Sequence, residues 1–225
     1  MNSVRLLTHA AMVLLAALSC AATARLKPEI GLVHLLTIGL GYFSLAALAV
    51  TLLIGPWRLL HSQRRTPVNI DLRRDIAIWA GIAGLLHVVF GFQVHMGGNI
   101  LHYFFLPGSR TPQINSFGAS NVLGLAATVL LALLLILSND LSVRLLRGKR
   151  WKAIQRLNYP LFALVVLHTW GYQYTIKRPW IMALLSVILA GLVVIGQWRG
   201  YRFYRMQWPQ PSARRSLVRL KNSAR

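Results

Sequence analysis

The stretch Tyr159–Gln173, YPLFALVVLHTWGYQ, decides the fold. Its run of Leu, Val and Ala is apolar enough for a membrane interior, yet one imidazole, His168, lies deep within it. A counterpart stands at 76–93, IAIWAGIAGLLHVVFGFQ, with His87 equally deep. Hydrocarbon does not solvate an imidazole, so a polar side chain at such depth calls for a reason. Two of them invite a shared one.

Outward from these stretches, further apolar runs reach or approach the ~20 residues that cross a bilayer. They predict six spans, at 4–24, 31–55, 75–96, 118–138, 157–175 and 180–198, and so an all-α, polytopic membrane helix bundle. Of the 225 residues, 56% are hydrophobic and only 13% charged, with a mean hydropathy of +0.53. A net charge of +21 would suggest nucleic acid in a soluble chain. Here the bases flank apolar runs, so they read as topology signals and contacts to anionic membrane lipid, with no nucleic-acid partner.

Counted loop by loop, twenty of the 25 Lys and Arg fall on one side. These include Arg5, Arg58, Arg64, Arg65, Arg73 and Arg74, the cluster from Arg144 to Arg156, and the tail from Arg199 to Arg225. Arg25, Lys27, Arg110, Lys177 and Arg178 fall on the other. The positive-inside rule then places both termini in the cytoplasm and the chain in the inner (plasma) membrane. Residues 1–30 hold the first span and a short outer loop, 31–198 the main domain, and 199–225 a basic cytoplasmic tail with interfacial aromatics such as Tyr201, Phe203, Tyr204 and Trp208. The first span has a rival reading as a signal peptide, because Arg5, a short apolar core and ALSCAATA resemble one. Cleavage would leave five spans in the same orientation.

Pro56 in GPWR is expected to stop the second helix, with Trp57 and Arg58 anchoring it at the interface. Asp71 and Asp75 stand near the start of the third, where an acid suits the helix dipole. The longest outer connection contains the apolar patch LHYFFLP (101–107), which either lies along the membrane surface or folds over a site.

Depth carries the chemical argument. His87 lies 13 residues beyond Arg74 and His168 lies 12 beyond Arg156. At ~1.5 Å rise per residue both imidazoles sit about 18–20 Å from the basic boundary. Gly84, His87 and Gly91 share one helix face, as do Leu164, His168 and Gly171, so small residues beside each histidine would let a flat macrocycle approach. Neutral imidazole is an axial ligand of haem iron, and we read the pair as holding one. The plainer alternative is a hydrogen bond from each histidine to a neighbouring helix, with the glycines serving helix packing.

Toward the outer side, His34, His95 and His102 form a candidate second cofactor, quinone or metal site, or simply meet interfacial water. His9 and His61 receive no role. A lone cysteine, Cys20, excludes an internal disulfide and a cysteine metal cluster. The four acids, Glu29, Asp71, Asp75 and Asp140, fall at span ends or in loops, which argues against a proton-coupled or cation transporter. No glycine-rich dinucleotide fingerprint is present, so a flavin or nicotinamide donor is expected on another protein.

Two segments carry a family resemblance: RRDIAIWAGIAGLLH (Arg73–His87) and RWKAIQRLNYPLFALVVLHTW (Arg150–Trp170). With LGLAATVLLALLLILSNDLSVRLL (123–146) and the GPWR exit, the chain over about 31–198 resembles the ferric reductase-like transmembrane domain family. That family includes the transmembrane parts of ferric reductases and NADPH oxidases, and haem-binding membrane subunits of a periplasmic methionine sulfoxide reductase system. The resemblance implies haem b on His87 and His168, with electrons passed across or within the membrane. Two-haem members carry a further histidine where this chain has Gln155, so one haem is expected here. Arg74 with Arg156, or Arg110 with Arg178, are the candidates for its propionates.

The function expected is electron transfer from a quinol or a separate cytoplasmic reductase toward an outer-side acceptor, such as a periplasmic protein. Two alternatives stay open: a cofactor-free structural membrane subunit, and a transition-metal transporter using the same histidines.

Overall fold

The computed structural model describes residues 3–61, 70–176 and 179–207. Arg64, Arg65, Lys177, Arg178 and the tail from Trp208 onward lie outside the described residues. The described chain forms eight α-helices: α1 (Ser3–Leu26), α2 (Leu32–His61), α3 (Ile70–Gly91), α4 (Ser116–Ile136), α5 (Asp140–Leu145), α6 (Lys149–Gln155), α7 (Asn158–Ile176) and α8 (Trp180–Gln207). Five of them, α1, α2, α3, α4 and α8, are long and apolar enough to cross a membrane. The remaining expected span, α7, has 19 residues but a polar C-terminal half, HTWGYQYT. Packing explains why that is tolerable: α7 lies along α4 and also meets α2 and α8. His168 and Tyr172 therefore turn toward protein, whereas Trp170, Tyr174 and Thr175 stay exposed.

Two close pairs organise the bundle, α2 with α3 and α4 with α7, while α1 and α8 flank α2. Leu45, Ala49, Leu52, Ala80 and Leu161 are buried where these helices meet. Leu14, Val129 and Val194 point outward and are more than half exposed. An apolar outer face around a tightly packed interior is what hydrocarbon solvent favours.

Pro56 does not end α2, which continues to His61. A proline inside a helix strips the carbonyl four residues earlier of its backbone donor. That carbonyl belongs to Leu52, and it accepts a hydrogen bond from Gln197 Nε2 of α8 at 2.6 Å. The missing bond is thus replaced from another helix. Beyond Pro56, Trp57 stacks on His61 with ring centres 4.0 Å apart.

Helix α8 likewise runs past its expected end at 198, to Gln207. The connection between the fourth and fifth spans, expected as a basic loop, is folded into α5 and α6. Asn139 caps α5 by accepting from Ser142 N at 2.8 Å. The Arg74 guanidinium donates to the Asp140 carboxylate, tying α3 to α5, and it holds the Asp140 carboxyl below the usual carboxylate range. It also reaches Asp71 at 3.2 Å.

Asp75 is not an exposed helix-end acid. Its side chain is 1% exposed and receives Arg5 Nε at 2.9 Å and Arg5 Nη2 at 2.8 Å. The two groups clamp α1 onto α3. A second tie follows one turn on, where Trp79 Nε1–H donates to His9 Nδ1 at 3.0 Å. Nearer the outer end, Cys20 presses on Gly39, where an added Cβ would lie 2.7 Å from the sulfur.

Candidate functional site

Between the pairs α2–α3 and α4–α7 lies a gap of about 1240 Å³, counting its open flanks. His87 enters it from α3 and His168 from α7. Their ring centres are 6.1 Å apart and their planes nearly perpendicular, at 85°. The deep pair inferred from depth alone does meet in space.

Each imidazole is held the same way. His87 Nδ1 lies 2.7 Å from the Thr37 carbonyl oxygen of α2, and His168 Nδ1 lies 2.8 Å from the Ser120 carbonyl oxygen of α4. A carbonyl only accepts, so Nδ1 carries the hydrogen in both rings and Nε2 carries the lone pair. Metal-ligating histidines are commonly oriented this way, through an N–H given to a backbone carbonyl. The plainer reading of interhelical hydrogen bonds is therefore found, and the tautomer it fixes leaves Nε2 with the lone pair that ligation of a metal requires.

The seats repeat in sequence. Four residues after each accepting carbonyl stands a glycine, Gly41 in TIGLG (37–41) and Gly124 in SNVLG (120–124). A Cβ at Gly41 would sit 2.7 Å from His87 Nδ1, and one at Gly124 2.6 Å from His168 Nδ1. Side chains larger than hydrogen would displace the rings from their carbonyls. Thr37 and Ser120 themselves return their hydroxyls to the carbonyls of Val33 and Ser116, at 2.8 and 2.6 Å.

The glycines expected to flank the histidines on their own helices behave differently. Gly84 is closed off by Leu131 and Ser44, and Gly171 by Ser120. Gly84 and Gly91 line the gap, with Thr37 near Gly91. The residues that decide ring placement lie on the partner helices.

Toward the end of the gap away from the basic helix ends a file of rings continues from His168. Tyr172 lies 5.0 Å from it, His95 6.3 Å from Tyr172, and His34 5.7 Å from His95, centre to centre. His34 and His95 thus come together as expected. His102 does not join them; its ring lies by Asn99, with Nε2 3.4 Å from Nδ2. Among the described residues no three His, Cys, Asp or Glu side chains gather as a metal site.

The LHYFFLP segment folds over the gap rather than along the surface. Tyr103 is buried, donates to the carbonyls of Gly91 and His95 at 2.8 and 3.0 Å, and accepts from His95 N at 2.9 Å. Burial pushes its phenol pKa up, so the donor hydrogen stays in place. Asn121 of α4 anchors the same segment by donating to the Tyr103 carbonyl at 3.0 Å.

Of the expected propionate partners, Arg74 is occupied by Asp71 and Asp140. Arg110 is exposed in the connection between α3 and α4, and Arg178 is outside the described residues. Gln155 ends α6, well below the histidines, with Nε2 buried and without a hydrogen-bond partner.

An apolar helix bundle closed around two oriented intramembrane imidazoles defines a class: a multi-pass membrane protein with a two-histidine centre between helix pairs. The sequence profile described as ferric reductase like transmembrane component matches residues 40–166. That span takes in Gly41, Ser120, Gly124 and all of α3 with His87, and ends two residues before His168. The chain belongs to the ferric reductase-like transmembrane family. Among its relatives, the protein-methionine-sulfoxide reductase heme-binding subunit MsrQ of Bordetella pertussis is 31% identical over 170 residues, covering 74% of this chain and 77% of that one. The MsrQ subunit of Ralstonia nicotianae is 31% identical over 167 residues, covering 72% and 71%. That of Azospira oryzae is 27% identical over 188 residues, covering 80% and 71%.

Proposed function

We propose that this chain is a membrane electron-transfer protein that holds one b-type haem between His87 and His168. The observation that carries the reading is the pair of matched seats: both Nδ1–H groups are given to backbone carbonyls, so both Nε2 atoms are the ligating nitrogens. A metal bonded to two such atoms at ~2 Å each asks for ring centres about 6 Å apart, close to the 6.1 Å found. The relatives named as heme-binding subunits support the same group.

Haem supplies one-electron chemistry when bound. The chain's own residues orient it and set its surroundings. Thr37 and Ser120 fix the ring planes, Leu45, Leu48 and Leu161 exclude water, and the Tyr103 segment closes the outer end. Electrons arrive from a quinol or a separate cytoplasmic reductase and leave toward an outer-side acceptor protein, by way of the end where Tyr172, His95 and His34 stand. With both termini on the cytoplasmic side of the inner membrane, the basic helix ends face the donor. His34 and His95, at the opposite end of the gap from Gln155, would then serve a quinone or the exit of electrons.

The test is a dithionite-reduced minus oxidised absorption spectrum of the protein purified in mild detergent. A sharp b-type signal at one haem per chain is expected. Protein that takes up no haem, even when expressed with haem supplied, would sink the reading.

The seats make a sharper expectation. Gly41→Ala and Gly124→Ala should each weaken haem binding by about 10–100-fold, the usual cost of disturbing the group that orients a ligating histidine. Haem titration of the apo variants, followed by absorbance, measures this. Gly55→Ala, at a glycine with open space around it, should leave affinity unchanged.

A further inference from the structure

A second recess of about 1280 Å³, counting its open mouth, lies at the basic end between α2, α3, α6 and α7. Arg73, Lys152 and Arg156 line it with Trp151, Tyr159 and Gln155. Arg74 lines it as well and is paired with Asp71 and Asp140. The chain's other two side-chain carboxylates are spent elsewhere, Asp75 on Arg5 and Glu29 on Lys27. Arg73, Lys152 and Arg156 have no ion-pair partner among the described residues. Beside them Gln155 Nε2 is buried and makes no hydrogen bond, while its Oε1 accepts from Asn158 Nδ2 at 3.2 Å. Fixing Oε1 on Asn158 turns the amide N–H₂ away from that partner. A buried donor left without an acceptor is destabilising, and an occupant carrying acceptor oxygens removes that cost.

Three free cations, an unfilled donor and two interfacial aromatics ask for a compact anion rich in oxygen, set at the level of a membrane surface. We propose that this recess binds a phosphate group, that of an anionic phospholipid in the leaflet facing the basic end, with its acyl chains running up the outside of the bundle. Lys and Arg supply point-charge and forked donors for phosphate oxygens, and basic pockets between membrane helices suit anionic headgroups. The histidine centre does not serve this recess: His168 lies 10 residues beyond Asn158 of the recess wall, about 15 Å along α7. The lipid instead bridges α3, α6 and α7 where they leave the membrane, and so steadies the connection between the two helix pairs.

Native mass spectrometry of the full chain, released from a neutral detergent with added phosphatidylglycerol or phosphatidylcholine, tests this. One retained phosphatidylglycerol and no retained phosphatidylcholine are expected. Retention should weaken at least tenfold in Arg73→Gln/Lys152→Gln/Arg156→Gln, and several-fold in Gln155→Leu, which keeps every charge. It should be unchanged in Arg144→Gln/Arg150→Gln, which removes exposed cations outside the recess. Thermal melting without added lipid confirms that each variant is folded. Equal losses in the triple variant and the control pair would reduce the effect to diffuse charge and overturn the site. Retention of phosphatidylcholine to the same extent, or of neither lipid, would overturn it as well. Melting protection by inorganic phosphate equal to that by phosphatidylglycerol would overturn the lipid as the occupant.

Discussion

Alanine at either His87 or His168 should abolish the b-type spectrum, because on the proposed function each ring would supply one of the two nitrogens that hold the haem and nothing nearby would replace it. The other imidazoles lining the gap, His34 and His95, stand one ring further out, beyond Tyr172. A five-coordinate remnant would hold haem weakly and lose it during purification. His87→Met is the informative companion. It keeps a ligand of the kind found in cytochromes with a Met/His pair, so it should retain haem in part and raise its reduction potential. Difference spectra give the haem content, and a redox titration gives the potential. If both alanine variants kept full haem with an unchanged spectrum, the ligands would have to lie elsewhere.

Removing Arg5 should be the most damaging change outside that centre. Asp75 is 1% exposed, and its two oxygens are served by Arg5. Arg5→Ala leaves a buried carboxylate with neither charge nor donor facing it, the costly way to break a buried pair. A fall in melting temperature on the order of 10 °C is expected. Asp75→Ala should cost less, since the Arg5 side chain left behind is 42% exposed and can turn to water or headgroups. The double variant Arg5→Leu/Asp75→Leu should recover most of the loss, because an apolar pair at the same place has nothing to desolvate. Thermal melts of the three in one detergent decide the matter. A double variant as unstable as Arg5→Ala would mean that packing of α1, rather than the ion pair, sets the cost. Removal of residues 1–24 would leave the same orphaned acid.

Much of the architecture was readable from the chain, for a physical reason. Apolar runs of bilayer length report helices without reference to anything distant, so the six expected spans all correspond to helices. The two deep histidines were readable because depth is a count along one helix from a charged boundary. Contacts between helices were not. The glycines that seat the rings, Gly41 and Gly124, lie on the partners of the histidine helices, whereas periodicity along α3 and α7 singled out Gly84, Gly91 and Gly171. A usable signal was present in the repeated hydroxyl residue four before a glycine, in TIGLG and SNVLG. Pro56 misled because its usual consequence, a stop, is cancelled by Gln197 of α8, far away in sequence. Asp75 looked like a helix-end acid because its partner Arg5 is 70 residues distant.

The Pro56 device also sets a clock on assembly. The Leu52 carbonyl waits for a donor that lies 145 residues further along the chain. At about 5–20 residues per second of synthesis, that donor emerges roughly 7–30 s later. For that interval the second helix carries an exposed carbonyl at its proline, in a solvent with no water to offer. The last turn of α2 is therefore among the final parts of the molecule to settle, and a chain interrupted before α8 carries an open bond that marks it as unfinished.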